Sequence, residues 1–412
     1  MVLQNVLQND RPLRSVPLMP AFDPVAATAA YMATLTPAQH ARATAYTHGG
    51  EWILLWNWVV AILVLTLITR TRLLPRLRDR IDPLGRHPLR VTASCIAAFT
   101  MADWLLSLPW TIYTSWWREA EYGLTSQPLA GWFTEALISL VITTILSVIF
   151  FSILYALMRA TRLWWAWAGG VAAIFIVAFI VLAPIVIEPL FNRYTPAPPG
   201  PVRDAVTALA QKVGVPSDKI LIFDGSRQSN RYTANVDGLF GSARIAMSDV
   251  MFAKNADVAE VRGVVGHEMG HYVLHHALWF AGLAAMLFLC GAYLSDRLFG
   301  RAARMLGAPG IAKIADPTGL PVFMALLTTL VLLSTPILNT ISRTEEAQAD
   351  HFSLVHANEP DGLAKSLCKT IEYRASSPSA LEEFLFYDHP SVEHRVQKAM
   401  AWKATHPAAN GS

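Results

Sequence analysis

Gly266-His267-Glu268-Met269-Gly270-His271 contains the pattern H-E-x-x-H. On a helix, residues four apart lie on one face. His267 and His271 can therefore aim their imidazoles at one ion, with Glu268 beside it but not bound to it. Two nitrogen ligands and a neighbouring carboxylate are what a zinc hydrolase needs, because the carboxylate can take a proton from water acidified by the metal. Val261, Val264 and Val265 before the motif, and Val273 and Leu274 after it, supply an apolar stripe without proline, so the stretch reads as a helix.

Outward from this helix the chain is apolar. It is 53% hydrophobic and 15% charged, against about 25% charge in an ordinary soluble domain, so the composition is that of a membrane protein. Six stretches qualify as spans: Trp52–Thr69, Val91–Pro109, Phe133–Leu157, Leu163–Ile187, Ala277–Phe299 and Leu320–Leu338. The net charge of +3 is too small an excess to point to nucleic acid, and Cys95, Cys290 and Cys368 lack metal-ligand spacing. Asn57, Asp103, Glu135 and Asn339 interrupt the spans. For Asp103 and Glu135 a hydrated cavity is the expectation, with an interfacial position or a structural partner as the alternative.

The expected fold is mostly α: a multi-span helical membrane protein with a discontinuous zinc-peptidase domain containing a small β-sheet. An N-terminal arm covers 1–50, with a helix over Ala26–Tyr46 and a start signal at Thr36-Pro37. Spans one to four occupy 51–187. The first catalytic part, 188–275, opens proline-rich, continues with a helix near Val202–Val213 and strand-like runs at Lys219–Phe223 and Ala243–Met247, and ends in the zinc helix. Spans five and six fill 276–340, and the second catalytic part is 341–412. Two spans bring the chain back to the same side, so both parts meet at the membrane face.

A catalytic zinc has three protein ligands and one position for water. Glu346 and Asp350, four residues apart just beyond the sixth span, offer carboxylates on one helical face. One can bind the ion while the other orients a ligand imidazole through its free N–H.

These residues belong to an ordered set: Leu108-Pro109-Trp110-Thr111-Ile112-Tyr113; Glu121-Tyr122-Gly123-Leu124; Glu188-Pro189-Leu190-Phe191-Asn192-Arg193-Tyr194-Thr195-Pro196; the strand segment Tyr232 to Gly238; the zinc helix; Ser342-Arg343 through Glu346 to Asp350; and His389-Pro390 with Arg395. Over about residues 40–400 the chain resembles the type I CAAX prenyl proteases, integral-membrane zinc metallopeptidases. The resemblance implies that His267, His271 and Glu346 bind one Zn2+, that Glu268 is the general base, and that Asp350 supports a ligand from behind. It also implies that His389 and Arg395 lie near the reaction centre and that the 232–238 strand aligns a peptide. There Thr233 stands where the family has asparagine, and Asn235, two residues on, can take its place.

Two departures stand out. The family has seven spans, so its first is absent here. The seven arginines between Arg70 and Arg90 place that loop in the cytoplasm by the positive-inside rule, whereas the family arrangement puts the catalytic parts there; the expectation follows the family. The implied activity is peptide-bond hydrolysis on membrane-associated or hydrophobic substrates, at the lipid bilayer. Three alternatives remain. One is an intramembrane-cleaving protease, which would bury the motif inside a span. Another is a heat-shock quality-control protease, which the 108–124 and 191–196 motifs fit less well. The third is a zinc-binding protein without catalysis, for which Glu268 has no use.

Overall fold

The computed structural model describes residues 22–406 except 240–242, 309, 312 and 372–373. Residues 1–21 of the expected arm, Gly241 and residues 407–412 lie outside the described residues. The first helix, α1 (Pro24–Met32), is capped by the Asp23 side chain. Next, α2 (Pro37–Arg70) starts at a capping box in which Thr36 and Gln39 satisfy each other's backbone donors. It runs unbroken from the expected arm through the first span. Gly49 and Gly50 do not break it; a Cβ on Gly49 would lie 3.2 Å from the Arg118 guanidinium, which packs there.

The chain continues through α3 (Leu73–Ile81), α4 (Pro88–Ile112), α5 (Arg118–Glu121), α6 (Leu129–Ala160) and α7 (Trp164–Leu182). Pro109 sits inside α4, and the helix widens to a π turn at Tyr113–Trp117; a proline removes one backbone donor and clashes with the preceding turn. Pro184 stands in a similar π turn after α7. The extramembrane part holds β1 (Tyr194–Pro196), α8 (Pro201–Val213), β2 (Ile220–Phe223), β3 (Ala234–Asp237), β4 (Arg244–Ser248), α9 (Asp249–Ala253) and α10 (Val258–Val273). Then come α11 (His276–Met305), α12 (Leu320–His356), α13 (Pro360–Lys369), α14 (Ala380–Phe386) and α15 (Val392–Thr405).

Among the described residues six helices are long and apolar enough to cross a membrane: α2, α4 with its extension, α6, α7 with its extension, α11 and α12. Their shared core lies at one end of the bundle. Leu65 and Ile68 of α2, Ile96 of α4, Tyr155 of α6, Trp164 of α7 and Phe323 of α12 are buried together there. Arginine-bearing loops cover that end, with Arg78 paired to Asp316 at 3.1 Å. The opposite ends of the spans carry the extramembrane elements.

The sheet order is β1-β2-β4-β3, with β2 and β4 parallel and the other pairs antiparallel, so β3 is an edge strand. Buried Ile245 and Met247 of β4 pack with Val261, Val265 and Met269 of α10. The quoted motifs anchor this unit to the spans. Tyr194 Oη donates to Glu188 at 2.8 Å, and Arg244 pairs with the same carboxylate. The backbone N–H of Asn230, leading into β3, donates to Leu124 O at 2.9 Å.

The polar residues of the spans have specific partners. Asn57 accepts from Trp110 at 2.7 Å, and Asn339 donates to Leu385 O at 2.9 Å. Glu135 forms an ion pair with Arg227 at 3.5 Å. Its charge is met by an extramembrane cation.

Candidate metal centre and catalytic cleft

α10 begins where Asp257 caps the backbone N–H of Glu260 at 2.7 Å. Val261, Val265 and Met269 fix one face onto the sheet. A second face is glycine and lies against α12. A Cβ on Gly266 would meet Ser353 Oγ at 2.9 Å, and one on Gly270 would meet the Cα of Ala349 at 3.0 Å. Only glycine allows so close an approach, and the approach carries Glu346 to the two histidines.

The donor atoms converge. His267 Nε2 lies 3.1 Å from His271 Nε2 and 3.3 Å from one Glu346 oxygen. His271 Nε2 lies 3.3 Å from the other. Tetrahedral bonds of about 2.0–2.1 Å put ligand atoms about 3.3 Å apart. The set therefore fits one small divalent ion, and His267, His271 and Glu346 could hold it. Glu346 Oε2 is buried with no hydrogen bond of good geometry among the described residues; besides His267, the Arg395 guanidinium stands 3.5 Å away. An ion between the donor atoms would satisfy this acceptor more fully.

Around these atoms lies a supporting layer. His267 Nδ1 donates to Asp350 at 2.9 Å. Arg395, buried at 6% exposure, grips Asp350 with two bonds of 2.7 Å. Burial lowers the proton affinity of His267, but Asp350 and Glu346 outweigh it and hold the imidazole up at about 10. The pocket thus asks for positive charge, which a divalent ion supplies. Burial pushes the Glu268 carboxyl up, against the pull of His267 and His271.

The structure gathers most of the expected site residues. Thr233, His267, Glu268, His271, Glu346, His389 and Arg395 line one cavity of about 320 Å³. His389 stands at its mouth, 3.2 Å from Glu346, with its other nitrogen on Asp388 at 2.8 Å. Arg343 donates to the backbone oxygens of Glu383 and Tyr387 and so ties down the segment leading to His389. Arg395 reaches both: it grips Asp350 behind His267, and its guanidinium lies 3.5 Å from Glu346 at the cleft wall. Asn235 lies on β3 with its side-chain oxygen buried and unpartnered among the described residues. A second cavity, about 470 Å³, adjoins at His271 and is walled by Phe179, Ile180, Leu278, Phe280 and Asp237. Sequence reasoning missed His276, whose Nδ1 meets His271 Nδ1 at 2.9 Å. The signal was His275-His276, four and five residues past His271, the second of which faces the site only because of the turn between.

Residues 196–403 match the family model for peptidase family M48, and residues 24–193 match one described as CAAX prenyl protease N-terminal, five membrane helices. The chain belongs to peptidase family M48. It is thus an integral-membrane metalloendopeptidase, and the peptidase match alone covers half of it. The matched N-terminal stretch holds four apolar helices here, one fewer than the family description. A CAAX prenyl protease 1 homolog of Arabidopsis thaliana is 27% identical, over 84% of this chain and 78% of that one. CAAX prenyl protease 1 of Saccharomyces cerevisiae is 26% identical, over 71% and 68%. An uncharacterized metalloprotease of Bacillus subtilis, YhfN, is 27% identical, over 75% and 73%. In fold the chain is similar to the crystal structure of S. mikatae Ste24p, with a TM-score of 0.74 at 21% identity over 89% of this chain and 90% of that chain.

Proposed function

We propose that the metal is a single zinc ion held by His267, His271 and Glu346, and that the enzyme cleaves hydrophobic or membrane-associated peptides. The observation that carries this is the set of three donor atoms at tetrahedral spacing beside a half-buried Glu268. Zinc held there supplies a Lewis acid and lowers the pKa of water from 15.7 to about 7. Glu268, its proton affinity raised by burial, takes a proton from the attacking water and passes it to the leaving amine. His389, at the cleft mouth, donates a hydrogen bond to the developing oxyanion. Asp350 and Arg395 hold the His267 ring. The free edge of β3 takes the peptide in extended form, with Thr233 facing the cleft and Asn235 offering its unpartnered amide oxygen. The two extramembrane stretches act as one catalytic unit.

The apolar cavity beside His271 supports a substrate with a hydrophobic group near the scissile bond. The names of the plant and yeast relatives suggest CAAX-type prenylated chains as one such class. Glu268→Gln tests the mechanism: zinc content stays at one per chain, and cleavage of both a prenylated and an unprenylated peptide is lost. Wild-type cleavage by that variant refutes the role of Glu268, and equal wild-type cleavage of the two peptides removes prenyl recognition.

The family arrangement places the catalytic end in the cytoplasm. A specific observation favours a second reading. The seven arginines of the 70–90 loop are joined at the far end of the bundle by Arg159, Arg162, Arg297, Arg301 and Arg304. By the positive-inside rule that end is cytoplasmic and the site faces the other side.

A further inference from the structure

The turn between α10 and α11 is strained: His275 has a φ of 58°, in the left-handed region that residues with a Cβ rarely adopt. That conformation ends one helix and starts the next within two residues, and it folds His276 back against His271. His276 is 4% exposed. Its Nδ1 lies 2.9 Å from His271 Nδ1, and its Nε2 lies 3.0 Å from Gln348 Oε1.

We propose that His276, steadied by Gln348, is a positioning residue that fixes the ring and tautomer of His271 for metal binding. This rests on the zinc reading above. The proton assignment follows from the contacts. His271 Nε2 points at His267 Nε2 and Glu346, so it must offer a lone pair there. Its proton then sits on Nδ1 and is donated to His276 Nδ1. His276 in turn carries its proton on Nε2 and donates it to the Gln348 amide oxygen. Reversing the chain would put a proton on His271 Nε2 and abolish ligation, so only one arrangement binds metal. The two histidines are thus supported differently. His267 leans on a carboxylate gripped by an arginine, and His271 on a neutral imidazole and an amide. Such partners typically change metal affinity 10–100-fold.

The test is zinc affinity, measured by competition with a chromogenic chelator on the purified full-length protein in detergent. His276→Leu keeps bulk but strands the His271 N–H; affinity falls at least tenfold. In His276→Asn the amide oxygen stands near the place of Nδ1 and accepts that N–H, so affinity recovers most of the loss. Gln348 is exposed on its helix, so Gln348→Met leaves folding intact and lowers affinity severalfold. Wild-type affinity in His276→Leu, or an equal loss in Leu and Asn, overturns the positioning role; unchanged affinity in Gln348→Met removes the amide from it. His271→Ala separates this from the underlying reading, because a variant that still binds zinc as wild type shows that the metal is not held there at all.

Discussion

Gly270→Ala changes neither a proposed ligand nor Glu268, yet it should weaken metal binding. The added Cβ would stand 3.0 Å from the Cα of Ala349, 3.1 Å from Phe352 Cβ and 3.3 Å from Ala349 O. Carbon atoms prefer about 3.5–4.0 Å, so α10 and α12 must part by about half an ångström or more. Glu346 lies one turn before Ala349 and moves with it. A metal site tolerates about 0.2 Å in its bonds. Without metal the helices relax apart; binding pulls them together and restores the clash. Overpacking of this kind costs about 1–3 kcal/mol, which is roughly 5- to 150-fold in zinc affinity if it falls wholly on the bound state. The assay is chelator competition together with peptide cleavage at rising zinc, where excess zinc recovers the activity. Gly282→Ala, whose Cβ would meet nothing within 4 Å, is the control and changes neither. Wild-type zinc affinity in Gly270→Ala would refute the claim that helix approach, and not the ligands alone, builds the site.

Two further outcomes follow from other parts of the molecule. Burial, with Glu188 adding to it and Arg244 opposing, raises Asp237 to about 7; because the folded pKa lies above the ordinary 3.8, the protonated form supports the fold below about pH 4 and that support is lost as pH rises through 7. The effect is at most about 4 kcal/mol, so thermal melts should show the wild type weakening between about pH 4 and 7 and Asp237→Asn much less; parallel melts would rule it out. Orientation is read with Gly85→Cys, in an exposed turn of the arginine loop, and a membrane-impermeant maleimide. The charge distribution predicts labelling only after permeabilisation, and labelling of intact cells returns the catalytic end to the cytoplasm.

What the chain reveals before folding depends on how local the cause is. His267 and His271 are legible because helical spacing alone puts them on one face. That a carboxylate of the Glu346 and Asp350 pair returns to them is legible because two spans bring the chain back; choosing Glu346 took the family resemblance. The strand-like runs ending at Phe223 and Met247 are short and mostly apolar, centred on Ile220, Ile222 and Ile245, and correspond to β2 and β4. β1 spans three residues and contains Pro196, and β3 holds Asn235 and Asp237 in four; such residues are poor strand formers, so β1 went unread and β3 emerged only through the family resemblance. The Glu135–Arg227 pair joins residues distant in sequence. His276 depends on one left-handed residue, which no periodicity encodes. Arg395 was placed near the centre, but its bidentate grip on Asp350 is a tertiary fact.

The two halves of the donor set sit on opposite sides of a membrane hairpin: His267 and His271 before α11, Glu346 within α12. On the proposed zinc site, a nascent chain that has made α10 but not yet inserted that hairpin lacks its third ligand. It can neither close the ion's coordination nor align Glu268 with a reactive water. Proteolytic competence is therefore delayed until insertion is complete. The order of synthesis itself then keeps a half-built protease from cutting its neighbours.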